Sequence, residues 1–352
     1  MNSAFIIVNP AAGRGQARTL MTSIRHAFSV LGVTDIRETH ETGEEELMAN
    51  KALAAGVKTI IAVGGDGTCS RVANAILHSG GLCRLAVIPC GTGNDFAKTL
   101  GVVRRTPQQI AELVAGATPT TIDVGLCDGY YFLNSCGFGF DASVLEATRR
   151  VRFLKGDAVY IYSALRQLFT YRGISVSVDA SVDTMAARML MLTVSNGRYL
   201  GGAFRIAPQA SVIDGKLDVG FFGDIGLIGR VRLFAGAFRG THVGLPSVKT
   251  KLVRNDSSVF RAPDDGTGRR AKAGALVDGE DRMCAEGAQR DRSAGLPCLI
   301  HPMWRAIRPP ESSLVQCRQE PPLSPDSQKV GYHQSDPRRS ASASGRSPRL
   351  MG

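Results

Sequence analysis

The sequence predicts an α/β fold in two domains, a doubly wound N-terminal domain followed by a mainly antiparallel β domain. Three observations predict it. Over roughly the first 120 residues, buried-type apolar runs alternate with helical periodicities, the signature of a parallel sheet wound on both faces. After about Ile122 long helical stretches become few and β-type runs take over. The length, 352 residues, suits two domains at about 150 residues each.

The elements follow in order. Phe5-Ile6-Ile7-Val8-Asn9 reads as a buried strand, and Leu20, Ile24, Ala27, Phe28 and Leu31 repeat at helical spacing over 16–31. Asp35–Glu41 suits a short strand. Thr42-Gly43-Glu44-Glu45 has capping-box form and predicts a helix to about Ala55. Lys58–Val63 is a second buried strand, Cys69–Leu77 a helix and Leu85–Ile88 a third strand. Thr106-Pro107-Gln108-Gln109 starts another helix, with Thr106 as cap. Beyond it, Ile174–Val178, Arg188–Ser195 and Lys216–Phe222 are β candidates, with a helix near 156–170. Residues 255–352 hold only 13 Leu, Ile, Val or Phe in 98 positions, too few for an ordinary packed core. The domain bounds read from this are 1–122 and 123–295. A disordered Ser/Arg/Pro-rich tail covers 311–352, and 296–310 loosely resembles the closing strand that returns to the first domain in the family named below.

Composition excludes several classes. Apolar residues are 43% and charged residues 21%, so collagen, coiled coil and wholly disordered chains are out. No apolar run is long enough to span a bilayer and no secretory leader is visible. Eight cysteines form no CxxC pair, which argues against a zinc or disulfide framework and for the cytoplasm. The net charge of +11 suits an anionic partner or general solubility.

The residues that carry chemistry sit in loops. Gly64-Gly65-Asp66-Gly67-Thr68 follows a strand and precedes a helix. Such glycines let backbone amides reach an anion at a helix N-terminus. Thr68 suits both a helix cap and a phosphate donor. Asp66 brings a carboxylate that a divalent cation or lysine must screen. Asn9-Pro-Ala-Ala-Gly-Arg-Gly15 and Pro89-Cys-Gly-Thr-Gly-Asn-Asp-Phe-Ala97 occupy the same position after two other strands. Three glycine-rich loops thus gather at the carboxyl edge of one parallel sheet, where α/β folds bind ligands. None matches the Walker or Rossmann pattern.

These loops, with Asn134–Asp141, Asn196–Gly202, Ala207–Ala210 and Asp214–Asp218, resemble the diacylglycerol kinase catalytic family and its bacterial soluble lipid kinases. The resemblance covers about residues 5–254. It implies an N-terminal domain that holds ATP, a C-terminal β-sandwich on the lipid side and an active site in the cleft between them. By motif, Asn9, Thr39, Gly64, Gly65, Asp66, Gly67, Thr68 and Thr92 belong to the nucleotide site. Asp214, with backbone carbonyls of Ser211 and Lys216, resembles a loop that binds a structural Mg2+; taken alone, Asp214-Gly215 reads as a turn. Asp278-Gly279-Glu280 resembles the motif whose glutamate is the general base, which makes Glu280 and Asp66 the expected catalytic pair. The polar run after 280 departs from the family pattern.

The implied partners are a membrane lipid substrate, ATP and Mg2+, with peripheral contact at the inner membrane face. Arg149–Lys155, four basic residues in seven, suits anionic headgroups or a solvated helix face. No binding module for nucleic acid accompanies the tail, and the chain is compatible with a homodimer. Phe138 and Phe140 suit an acyl channel or, more ordinarily, the core. Two rival functions are a kinase of a soluble acceptor such as NAD, and an inactive nucleotide- or lipid-binding pseudokinase.

Overall fold

A computed structural model of the chain describes residues 4–80, 83–127, 129–148, 150–151, 154, 157–180, 183–253, 259–261, 275–277, 280–282, 298–299, 304–307 and 314–319. All of them belong to one compact unit, Met1–Glu320.

The N-terminal region runs β1 (Ala4–Val8), α1 (Ala12–Ser29), β2 (Ile36–Glu38), α2 (Glu44–Ala54), β3 (Thr59–Gly64), α3 (Asp66–His78) and β4 (Arg84–Pro89). Two helices, α4 (Asp95–Thr99) and α5 (Pro107–Gly116), then lead to β5 (Thr121–Asp123). Strands β2, β1, β3 and β4 pair in that order, all parallel. Alternate residues of each strand serve opposite faces. Ile7, Ile60, Ala62, Leu85 and Val87 pack under α2 and α3. Ile6, Val8, Ile61, Val63, Ala86 and Ile88 pack under α1 and α5. This two-sided burial is why these strands read as continuous apolar runs.

The second region opens with β6 (Gly125–Cys127), β7 (Tyr130–Phe132) and β8 (Ser135–Gly139). Next come α6 (Phe140–Thr148), α7 (Asp157–Thr170), β9 (Ile174–Ala180), β10 (Asp183–Ser195) and β11 (Leu217–Gly223). It closes with α8 (Leu227–Arg239), β12 (Val248–Val253), β13 (Val259–Arg261), β14 (Ala275–Val277) and β15 (Glu280–Arg282). The main antiparallel sheet has the order β12-β11-β10-β8-β14-β15, with β9 and β13 joined to it through β10. One face packs on Cys127 and Phe132 of the small β6–β7 sheet. The other carries α6, α7 and α8. Phe138 and Phe140 lie in these two cores.

The chain then returns. β16 (Cys298–Leu299) pairs with β6, β17 (Trp304–Ile307) with β5, and β18 (Leu314–Gln319) with both β17 and β4. The first sheet is thus completed in the order β2-β1-β3-β4-β18-β17-β5, its last pairings antiparallel. A tail beginning at 311 is therefore corrected: Leu314–Gln319 is a strand of the first sheet. Its polar residues at alternate positions hid it from a reading that sought apolar runs. Residues 320–352 lie outside the described residues.

Two capping expectations also change. The N-cap of α2 is Gly43 at φ 99°, with no side-chain cap from Thr42. Glu45 instead accepts from the Gly43 amide (3.1 Å), the reverse half of a capping box. The N-cap of α3 is Gly65, so Thr68 lies inside the helix. At α5 the Thr106–Gln109 capping box is formed in both directions.

Candidate functional site

The loops after β1, β3 and β4 lie side by side, and glycine is what permits it. Gly13 has φ +59°, and a Cβ there would stand 2.1 Å from the carbonyl oxygen of Cys90. A Cβ on Gly91 would stand 2.3 Å from the Cα of Gly65. Backbone meets backbone at both points, so no rotamer change makes room. Asn94, at φ 53°, closes the third loop by accepting from the Gly91 amide (2.8 Å) and donating to the Gly91 carbonyl (2.7 Å).

Polar side chains lock this arrangement. Asp66 Oδ1 accepts from the Phe96 amide at 3.0 Å, and the Asp95 and Asn94 amides also hydrogen-bond its carboxylate. Burial pushes its pKa up, while those amides and Lys98 oppose the shift. The carboxylate thus ties the GGDGT loop to the start of α4. Thr68 does not face outward: its hydroxyl is 3.4 Å from Glu45 Oε1 and 3.3 Å from Asn9 Nδ2. Asn9 Nδ2 also donates to Glu45 (3.2 Å), and Arg71 pairs with the same oxygen (3.3 Å).

Glu45 was not singled out by sequence. Its one available signal was an acidic residue in a helix N-terminal turn, shared with Glu44 and Glu46. Yet it is fully buried and joins α2, α3 and the first loop. Next to this cluster Asn9, Ala11, Arg18, Thr39 and His40 line a cleft of about 450 Å³. Thr39 is anchored by its amide on the Val8 carbonyl (2.8 Å). Thr92 stands exposed at the tip of the third loop.

A second set of contacts clamps the two regions together. Both carboxylate oxygens of Asp95 lie 3.0 Å from the Gly202 amide, and Lys98 Nζ donates to the Gly202 carbonyl. Asn134 donates to the Tyr199 carbonyl (2.6 Å) and accepts from Thr99 (3.3 Å). Asn196 donates to the carbonyls of Asp123 (2.8 Å) and Leu133 (2.7 Å). Arg198 donates to the Ala210 carbonyl (2.9 Å). The later sequence motifs are thus the seam itself.

Glu280 begins β15 opposite Val277, and Val277 pairs with Cys136 of β8. β14 runs antiparallel to β8, so the Val277–Glu280 pair lies at the Asn134 end of the sheet, which is the seam end. Asp278, Gly279 and the Glu280 side chain lie outside the described residues. Near Asp214, the Lys216 amide donates to Asp214 Oδ1 (3.1 Å) and the Gly215 amide to Asp123 (2.7 Å).

A glycine-rich loop cluster on a parallel sheet is thus clamped to an antiparallel sheet, the two-domain arrangement expected of the kinases that the sequence resembles. Comparison with known proteins gives the family. Residues 3–127 match the diacylglycerol kinase catalytic domain, and residues 134–281 the YegS C-terminal NAD kinase beta sandwich-like domain. A Pseudomonas aeruginosa protein named "probable lipid kinase YegS-like" is 35% identical over 209 residues, 59% of this chain and 68% of that protein. The diacylglycerol kinase of Bacillus subtilis is 28% identical over 245 residues, 69% of this chain and 81% of its own. A crystal structure of a diacylglycerol kinase from Bacillus anthracis superposes with a TM-score of 0.59 at 21% identity, covering 91% of this chain and 97% of that one; it shares the fold. The chain belongs to the diacylglycerol kinase catalytic family.

Proposed function

We propose that the protein is an ATP- and Mg2+-dependent lipid kinase acting on a lipid hydroxyl, with diacylglycerol as acceptor and phosphatidic acid as product. The observation that carries this reading is the Asp66–α4–Gly202 clamp. It holds the glycine-rich loops against the end of the antiparallel sheet where Val277 and Glu280 pair. Bound ATP supplies the phosphoryl group. The chain's part is positioning and charge neutralisation, which is most of what phosphoryl transfer needs. The 64–68 and 91–94 loops face the phosphates, and Asn9, Thr39 and Thr92 stand at the rim. Asp66 works by holding the third loop in place. Glu280 takes the proton of the attacking hydroxyl.

The residues around Asp214 fit a hard cation. Among the described residues no group of three or more His, Cys, Asp or Glu is arranged for a metal, so the site rests on one carboxylate and the carbonyls of Ser211 and Lys216. Burial, and next the Asp214 carboxylate, push the Asp218 carboxyl up to about 6 against the opposing charge of Lys216, and a divalent ion at this turn would favour both carboxylates. When bound, Mg2+ supplies a fixed positive charge at this turn. The protein then works as a cytoplasmic, peripheral enzyme at the inner membrane face; no helix among the described residues is long and apolar enough to cross a membrane.

The test is transfer from [γ-32P]ATP, first to diacylglycerol in mixed micelles and then across a total lipid extract. Labelled phosphatidic acid is the expected product. Label on NAD or another soluble acceptor, or ATP binding with no transfer, overturns the reading. Glu280→Gln is expected to lower kcat by about 10²–10⁴-fold with ATP affinity kept; unchanged turnover removes Glu280 as the base.

A further inference from the structure

We infer that α7 and α8 form a docking face for an anionic phospholipid bilayer. Tyr162, Leu165 and Phe169 are exposed at i, i+3 and i+7 along α7, Phe169 at 63%. Leu227, Ile228 and Val231 are exposed on α8, Ile228 at 87%. The two helices are in contact. Arg230 on α8 donates to the carbonyls of Leu168 (3.0 Å) and Tyr171 (2.7 Å), at the end of α7. Six large apolar side chains around one such clamp exceed the scatter of single exposed residues normal on a monomer.

The charge around them selects the occupant. Arg166, Arg172, Arg232 and Arg239 are exposed on or beside the same helices. From Ala158 to Arg172, and from Gly226 to Gly244, there is no Asp or Glu. The one acid between β11 and α8, Asp224, is held by Arg188 and Arg230, each at 2.8 Å. An amphipathic helix pair with basic flanks suits the headgroup–acyl boundary, where apolar side chains insert and arginines meet anionic phosphates. A second copy fits poorly, because a symmetric contact sets arginine against arginine.

This inference rests on the lipid-kinase reading for its purpose, and the test separates the two. The full chain is sedimented with vesicles of phosphatidylcholine containing increasing phosphatidylglycerol, without nucleotide or acceptor. Binding is expected to rise with phosphatidylglycerol and fall with salt. Phe169→Asp with Ile228→Asp is expected to lower the partition coefficient more than about tenfold, and Arg166→Glu with Arg232→Glu to abolish the phosphatidylglycerol dependence. Val30→Asp, at an apolar side chain 72% exposed on the first domain, is expected to leave binding unchanged. Should the aspartate pair not fold, serine at both positions gives the same readout. Equal binding by all variants, or no binding at all, overturns the docking face. So does a concentration-dependent dimer that the variants abolish. Vesicle binding without labelled lipid leaves the docking face standing and removes the kinase reading. Labelled lipid in detergent micelles without vesicle binding does the reverse.

Discussion

Three consecutive glutamates open α2, and only Glu45 is buried. Its carboxylate is shared among Asn9, Thr68, Arg71 and the Gly43 amide, so a single side chain fixes two of the three loops. Removing one partner of a buried pair leaves the other charged and uncompensated. Glu45→Ala is expected to cost about 3 kcal/mol in denaturant unfolding and to weaken ATP binding. Glu45→Gln, which keeps an acceptor, is expected to do less of both. Asp141 is the opposite kind of buried carboxyl. One oxygen accepts from the Ala142 amide (2.9 Å) and the other has no hydrogen-bond partner among the described residues, and burial pushes its pKa up to about 7. The folded chain thus keeps a proton that the unfolded chain releases near 3.8. The associated stability is full below about pH 4 and lost as pH rises through about 7. Asp141→Asn is expected to flatten that part of a stability–pH curve measured by chemical denaturation.

At the scale of elements, the loops work because their backbones touch. Gly91→Ala puts a methyl on the Gly65 backbone, so the GGDGT and GTGND loops must separate. ATP affinity is expected to fall at least about tenfold, or about 1.4 kcal/mol, in a titration, with the antiparallel sheet's spectroscopic signature kept. Much of this was legible in sequence, since strands buried on both faces leave unbroken apolar runs and each loop carried its glycines. The missed contacts have physical reasons. Thr68 and Thr42 read as caps because a hydroxyl before a helix usually serves its own amides. Here Glu45 holds Thr68 from a different helix, and Gly43 takes the left-handed turn that begins α2. Tertiary partners of that kind leave no local spacing to read. The same holds for the grip of Asp66 on the amides at the start of α4.

At the scale of the whole molecule, the chain crosses from the first sheet to the second and back. The seam motifs, Asn134, Asn196 and Gly202 among them, were legible only as a family resemblance, because asparagine side chains on carbonyls have no periodicity. The returning strands were legible only in part, since β18 lies in the stretch assigned to the tail. Their pairing with β4 and β5 gives a sharp expectation. A chain ending before Cys298 leaves the β4 edge bare and is expected to aggregate or melt at least about 5 °C lower. A chain ending after Glu320 keeps every described pairing and is expected to melt with the full-length protein. Thermal scans of the two truncations check this.

That return also bears on the order in which the protein can be made. The ribosome releases β4 long before β18 exists, and at ordinary elongation rates the gap is on the order of tens of seconds. Until then the open side of β4 must wait uncovered while the entire antiparallel half is synthesised. The nascent chain therefore acquires its second sheet before its first is finished, and the first sheet is sealed only when β17 and β18 emerge. Loss of those two strands, by premature termination or clipping, would strike a sheet made well before them.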